Sequence, residues 1–157
     1  MADGVKKSGN WTGARAAAKK MPQNVKVAER RLIDKFLNRM KSSLVNHIID
    51  DDLGWIKLSD YTIRNKGHAA KLIHSGLLIS SITTWTKSKV GYVGIKPSVR
   101  ESNGTKVSEV ARRQEEGYGK IPKRPLWQPT AEEIYAEMKA GHDNIAEILD
   151  KLIRNGR

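Results

Sequence analysis

Cations and aromatic side chains alternate in the sequence between residues 112 and 127. Lys120 and Lys123 lie between Tyr118 and Trp127. Basic side chains bind phosphate oxygens and aromatic rings stack on bases, so this mixture can hold a single nucleic-acid strand. Trp127 directly precedes a predicted helix, however, and we expect it to pin that helix to the core. The residues expected to contact DNA or a partner are Lys6, Lys7, Arg15, Lys19, Lys20, Arg112, Arg113, Lys120 and Lys123.

Residue types that could act in catalysis are present, but their spacing is unfavourable. His74 and Ser75 are adjacent, and adjacent side chains rarely face each other as base and nucleophile. His68 and His74 have no cysteine near them to complete a metal site. The acidic runs at 50–52 and 115–116 lie at predicted helix ends, where solvated carboxylates are common. We therefore expect no catalytic residue, no metal and no cofactor, and we do not expect an enzyme.

The positive charge of the chain is distributed unevenly. The formal net charge is +12 over 157 residues, and no cysteine is present. Residues 1–24 and 25–127 are net basic, whereas residues 128–157 are net acidic. A basic field attracts polyanions, so nucleic acid or an acidic protein is an expected partner, although solubility alone could explain the charge. The lack of cysteine excludes disulfides and fits a reducing cytosol. No apolar run approaches the roughly 20 residues that span a bilayer.

Apolar periodicity divides the chain into an arm and a domain. Residues 1–23 lack this periodicity, and we expect them to form a flexible basic N-terminal arm, in which the run 14–20 is compatible with one or two helical turns. Residues 24–157 are expected to form a single α+β domain. Apolar side chains recur at three- and four-residue steps from about Asn24 to Ile49 and predict a long amphipathic helix.

A second long amphipathic helix is predicted near the end of the chain. Thr130 is its expected N-cap, and Glu133 three residues later completes a capping box. The helix is expected to continue to about residue 154. A shorter helix is predicted from Ser59 or Asp60 to Arg64 or Lys66. Another is predicted from 107 to 116, with a third strand near 107–111 as the alternative.

Two strands are predicted between the helices. Residues 78–87 and 90–96 are rich in β-branched and aromatic side chains, and Ser88-Lys89 can connect them as a hairpin. The expected fold class is therefore α+β. It consists of a small antiparallel sheet packed against two long amphipathic helices.

Three segments carry further information through their order. They are WIKLSDYTIRNK at 55–66, LIHSGLLISSI at 72–82 and ARRQEEGYGKIPKRPLWQP at 111–129. In this order they resemble the tail-completion (neck) protein family of tailed phages. That family is close to minor tail components and to the virion morphogenesis proteins of Mu-like phages. The matching motif residues are Ser75, Gly76, Leu77, Ser81, Ile82, Gly117, Pro122, Arg124, Pro125, Leu126 and Trp127.

The motif residues have expected mechanical roles. Gly76 allows a turn into the first strand, and Ser75 hydrogen-bonds local backbone. Arg124 lies between two stiffening prolines and is expected to point outward or to form a salt bridge. The sequence departs from the family where His74-Ser75 replaces Asp-Thr, and Glu116 replaces an aromatic residue. It departs again where Leu-Trp replaces Phe-Leu.

The resemblance implies a structural virion protein of a tailed phage. Such a protein forms a homo-oligomeric ring, expected to be a hexamer, at the head–tail junction or tail end, joins head to tail and lets DNA pass. A tail terminator or a head–tail adaptor is the alternative. Expected partners are head–tail connector, tail-terminator or tail-tube proteins and, non-specifically, genomic DNA in the channel, but no membrane. Residues 1–23 and 97–106 are expected to contact neighbours.

A different class of protein explains the same charge. A non-specific basic nucleic-acid-binding protein that acts in the host would also be rich in lysine and arginine. That reading predicts tight, salt-sensitive binding by the free monomer. The virion reading predicts weak binding by the free chain, which is made in the host cytoplasm and then joins the particle.

Overall fold

The computed structural model describes residues 11–88 and 90–140. Among them, residues 11–32 belong to one compact unit and residues 33–140 to another. The described elements are helices and a two-stranded antiparallel sheet, so the expected α+β class is confirmed. Within the described ranges, no helix combines the length and the apolar character that crossing a membrane requires.

The first helix is longer than its apolar pattern predicts. Helix α1 spans Trp11–Asp50 and continues through Pro22. The predicted start near Asn24 is therefore wrong, and residues 11–23 are helical. The alanine- and lysine-rich run at 14–20 explains this result, because these residues favour a helix without any apolar stripe. The expected contact residues Lys6 and Lys7 lie outside the described residues.

The core of the second unit lies between α1 and a hairpin. Strand β1 spans Ile82–Lys87 and strand β2 spans Val90–Ile95, with Ile82 opposite Ile95 and Lys87 opposite Val90. The predicted hairpin is thus confirmed. Ser88, which follows β1, has a φ of 57°, in the left-handed region typical of two-residue hairpin connections. The buried core cluster contains Leu44, Ile48, Trp55, Ile82 and Leu126.

Glycine permits a close approach between α1 and the second strand. A Cβ atom placed on Gly91 would lie 2.8 Å from Ile33 Cγ2 and 2.9 Å from Leu37 Cδ1. Ordinary carbon contacts are longer, so a side chain here would push helix and strand apart. This contact places the C-terminal part of α1 against the sheet.

Three short helices flank the hairpin in the sequence, two before it and one after it. Helix α2 spans Asp60–Lys66, with Ser59 as N-cap and Gly67 as C-cap, and helix α4 spans Val107–Glu116. Both predictions are confirmed. Helix α3 spans Leu77–Ser81 and replaces the predicted start of the first strand. Its serine hydroxyls at 80 and 81 both donate to the carbonyl oxygen of Leu77, which favours a helical turn over an extended strand.

The last described helix, α5, spans Trp127–Lys139. The predicted N-cap at Thr130 is wrong, because Thr130 lies within the first turns. Its hydroxyl is fully buried and donates to the carbonyl oxygen of Leu126 at 2.6 Å. Glu133 does not close a capping box either and instead binds side chains of α1. The predicted continuation from 141 to 154 lies outside the described residues.

Candidate functional site

A carboxylate from α4 caps the N-terminus of α5. Glu115 Oε2 accepts hydrogen bonds from the backbone N–H groups of Leu126 at 2.6 Å and Trp127 at 3.1 Å. Its Oε1 accepts from the N–H of Gln128 at 3.3 Å. These donors have no partner within the helix, and the positive end of the helix dipole favours an anion at this position. Because the next residue, Pro129, has no N–H, it leaves no further donor unsatisfied.

Gln114, the residue before Glu115, holds the segment that leads into α5. The backbone N–H of Arg124 donates to the carbonyl oxygen of Gln114 at 2.7 Å. The guanidinium Nη1 of Arg124 donates to the side-chain oxygen of the same glutamine at 2.8 Å. One residue of α4 therefore fixes both the backbone and the side chain of Arg124.

A third contact joins this segment to the chain after α1. The indole Nε1 of Trp55 donates to the carbonyl oxygen of Pro125 at 2.8 Å. Trp55 and Leu126 are both buried in the core cluster, and Trp127 packs against that cluster. We call the set of Trp55, Gln114, Glu115 and residues 124–128 the clamp. The clamp turns the extended segment into a rigid entry to α5.

Arg124 is buried within the clamp, so the expectation that it points outward or forms a salt bridge is wrong. Only 6% of its surface is exposed. Among the described residues no carboxylate lies within salt-bridge distance of it, and its Nε has no hydrogen-bond partner. Burial lowers the pKa of Arg124, and the charge of Asp51 offsets part of that effect. Guanidinium remains protonated in proteins, so a buried positive charge is retained here.

A basic cleft opens beside the clamp. It has a volume of about 530 Å³, and Arg124 forms part of its lining. Lys57, Lys66 and Lys120 line the same cleft, as does His74, whereas the carboxylate in the lining comes from Glu101. The three lysines come from the connector after α1, from α2 and from the turn before α5. The fold therefore brings together cations that are far apart in the sequence.

The cations near the cleft have few anionic partners among the described residues. Lys66 Nζ donates to the carbonyl oxygen of Ala70 at 2.6 Å. Burial, and then the charge of Arg124, lower the pKa of Lys66. Asp51 is the nearby carboxylate, but both of its oxygens accept from Lys71 Nζ, at 2.9 and 2.7 Å. Positive charge is therefore in local excess.

Two of the basic residues that the sequence indicated, Arg112 and Arg113, form ion pairs on α4. Arg113 Nη2 pairs with Glu109 at 2.6 Å, and its guanidinium lies over the ring of Tyr118 at 4.8 Å. Arg112 forms an exposed pair with Glu116 at 3.0 Å. Each of these arginines is thus neutralised locally on α4. The other expected contact residues that the structure describes are exposed to solvent: Arg15, Lys19, Lys20, Lys120 and Lys123.

The remaining motif residues shape the turns around the clamp. Gly117 has a φ of 78°, and a Cβ atom there would lie 3.2 Å from the carbonyl oxygen of Ile121, so glycine is needed to close the turn. Pro122 lines the cleft. Gly76 has a φ of 74° at the start of α3, and the N–H of Leu77 donates to the hydroxyl of Ser75 at 3.4 Å. The expected local roles of Ser75 and Gly76 are thus observed, although the turn leads into a helix first.

A histidine of α1 and two carboxylates, one of them from α5, form a cluster that joins the two helices. His47 Nδ1 lies 2.7 Å from Asp52 Oδ1, and its Nε2 lies 2.8 Å from Glu133 Oε2. Carboxylate oxygens only accept hydrogen bonds, so the ring donates to both when it is doubly protonated. Burial lowers the pKa of His47, but the hydrogen bonds and charges of Asp52 and Glu133 together outweigh burial and raise it above its ordinary value.

Two functional features of this site were missed by the sequence reasoning. Glu115 was interpreted as a solvated residue at a helix end, although a carboxylate there opposes the helix dipole and therefore signals another role. Lys57 and Lys66 carry no signal in the sequence, because only the fold brings them near Lys120. His74 and Ser75 both line the cleft, and among the described residues no group of histidine and acidic side chains could hold a metal ion.

Comparison with known proteins identifies no relative. No protein-family model matches the chain, and no curated protein or solved structure is significantly similar to it.

Proposed function

We propose that this chain is a structural subunit of a tailed phage, a tail-completion or neck protein that forms a ring at the head–tail junction or tail end. The observation that carries the proposal is the meeting of the three motif segments. Trp55, Ile82 and Leu126, one from each segment, share a single buried core cluster. Motifs that are distant in sequence thus act as one mechanical unit.

The motif residues stabilise geometry, and this supports a scaffold over an enzyme. The clamp uses Glu115 to cap a helix and Gln114 to hold Arg124, so both side chains are engaged in internal hydrogen bonds. A closed ring requires subunits of one fixed shape, since small angular errors accumulate around it. A rigid entry to α5 meets that requirement. The proposal includes no catalytic activity.

The sheet offers a surface through which subunits can join. It has two strands, so within the described chain each strand has one edge without a partner strand. Such edges pair readily with an added strand from a neighbour. Segment 97–106 is a second candidate contact. Its backbone forms an isolated β-bridge between Arg100 and Lys106, and the N–H of Thr105 donates to the side-chain oxygen of Asn103. The exposed cations of α1, Arg15, Lys19 and Lys20, are available to a polyanion or an acidic neighbour.

Analysis of particle composition tests this proposal. Mass spectrometry of gradient-purified virions should detect the chain at a few copies per particle, together with other neck or tail proteins. The purified chain should bind duplex DNA weakly at physiological salt. Absence from virions, combined with tight and salt-sensitive DNA binding by the monomer, would favour the host nucleic-acid-binding alternative. A tail terminator and a head–tail adaptor differ by which particle component retains the chain when heads and tails are separated.

A further inference from the structure

The cleft beside the clamp contains a charge that the described chain does not neutralise. Arg124 is 94% buried, since 6% of its surface is exposed, and its side-chain partner is the neutral amide of Gln114. Removing a charge from water without a counter-charge is costly, so buried ions are normally paired. Asp51 is the nearby carboxylate, but its oxygens bind Lys71 and its charge offsets only part of the cost of burying Arg124. The structure therefore retains a buried guanidinium that has no ion-pair partner among the described residues and lies next to an open cleft.

Three lysines add to this positive charge. Lys57, Lys66 and Lys120 line the cleft with Arg124, against one lining carboxylate, Glu101. Like charges repel one another, so this arrangement carries a free-energy cost that a counter-charge would reduce. A bound anion would offset it and would relieve the repulsion between Lys66 and Arg124.

We propose that this cleft binds the phosphate groups of a ligand. Ammonium and guanidinium groups are the usual protein ligands for phosphate oxygens. A single carboxylate carries one charge and would leave most of the cations unpaired, whereas phosphates bring two charges or occur in series. Hydroxyl groups of Ser59, Thr62 and Ser75 also line the cleft and can donate to the oxygens.

The shape of the cleft restricts the source of the phosphate. A volume of about 530 Å³ suits a nucleotide-sized ligand or a short stretch of single strand. Apolar side chains in the lining, including Leu58, Ile121 and Pro122, can contact a sugar or a base. The two sources that share this chemistry are the phosphodiester of a single strand and a free phosphate compound. The inference does not depend on the ring, because it concerns the free chain.

Binding measurements on the full chain test the proposal. The probes are pyrophosphate, a fluorescent ten-nucleotide thymidine strand and an acidic peptide of equal charge. The test variant is K57Q/K120Q, in which both lysines are exposed cleft residues. The control is K87Q/K96Q, which removes the same charge from two exposed lysines that do not line the cleft. NMR of the arginine Nε–H signals provides a direct readout at Arg124 without altering it.

Phosphate binding predicts a specific pattern of results. Pyrophosphate should bind, shift the Arg124 Nε–H signal, and lose about tenfold in affinity in K57Q/K120Q but less than about twofold in K87Q/K96Q. Displacement of the labelled strand by pyrophosphate would identify the strand as a source, and failure to displace it would indicate a free phosphate compound. Lack of pyrophosphate binding, equal loss in both variants, or binding of the acidic peptide alone would each overturn the proposal.

Discussion

Replacing Glu115 by glutamine tests the contact that fixes the start of α5. The side chain keeps its length and one carbonyl oxygen, but it loses its charge. In the wild-type chain its two oxygens accept from three backbone N–H groups, at 2.6, 3.1 and 3.3 Å. Glutamine can keep the two bonds made by one oxygen, and its amide group faces the third donor without accepting from it.

The magnitude follows from these three bonds. A hydrogen bond to a charged group contributes about 1.5–3 kcal/mol, and a neutral one about 0.5–1.5 kcal/mol. Loss of the favourable charge at the helix N-terminus costs about 0.3–1 kcal/mol more. The bond that is lost and the lost charge at the helix N-terminus together account for about 2–4 kcal/mol, and the weakening of the other two bonds adds to this loss. We therefore expect Glu115→Gln to lower the free energy of unfolding by at least about 2–4 kcal/mol, which for a chain of this size corresponds to a drop in Tm of at least about 5–15 °C.

The neighbouring residue provides a matched control. Glu116 has the same chemistry but forms an exposed pair with Arg112, so Glu116→Gln should cost about 0.5 kcal/mol or less. Urea unfolding measures both variants. Hydrogen exchange gives the local readout, because the amides of residues 126–128 should exchange faster in the Glu115 variant alone. Equal destabilisation by the two variants, with unchanged exchange at these amides, would refute the assigned role of Glu115.

Three further predictions follow from the same contacts. Because the pKa of His47 is raised in the folded state, its ion pairs contribute stability that is fully present below about pH 6.5 and is lost as the pH rises through the folded-state pKa. The free energy of unfolding in urea should therefore depend less on pH across this range in His47→Gln than in the wild-type chain. An equal pH dependence in the two proteins would contradict this assignment. Trp55→Phe should lower the free energy of unfolding by about 1–2 kcal/mol through loss of the bond to Pro125, whereas an unaltered midpoint in urea would argue against that bond. Gly91→Ala should cost about 1–3 kcal/mol by forcing α1 away from β2, and a rise in Tm would show that the contact is looser.

Elements with local signals were predictable from the sequence. Helix α2 lies between a serine cap and Gly67, and helix α4 ends at Gly117, so short-range hydrogen bonding and glycine conformation define both. The hairpin follows from two strand-forming runs separated by two residues. In each case the atoms that determine the boundary lie within a few residues of it.

The start of α5 depended on a contact that is distant along the chain. A capping box at Thr130 was a reasonable local solution, yet the three donors at 126–128 already have an acceptor in Glu115. Helix capping by a separate element has no short-range signature. Removal of the need for a local cap leaves Thr130 free to become buried and to bond the carbonyl of Leu126.

The candidate site was predictable only in part. Motif order indicated that the segment around Arg124 mattered, and the structure makes it the centre of the clamp. The predicted environment of Arg124 was wrong, because the burial of this arginine is determined by packing from three segments. The same reason hid the cleft, since Lys57 and Lys66 become neighbours of Lys120 only after folding.

The proposed virion role is tested most directly by deleting the gene in the phage that, on this proposal, carries it. Electron microscopy of the lysate should show full heads beside separate, complete tails, and expression of the intact chain in trans should restore joined particles. Overlong tails would instead identify a tail terminator. Normal, infectious particles in the deletion lysate would contradict a structural role in the virion.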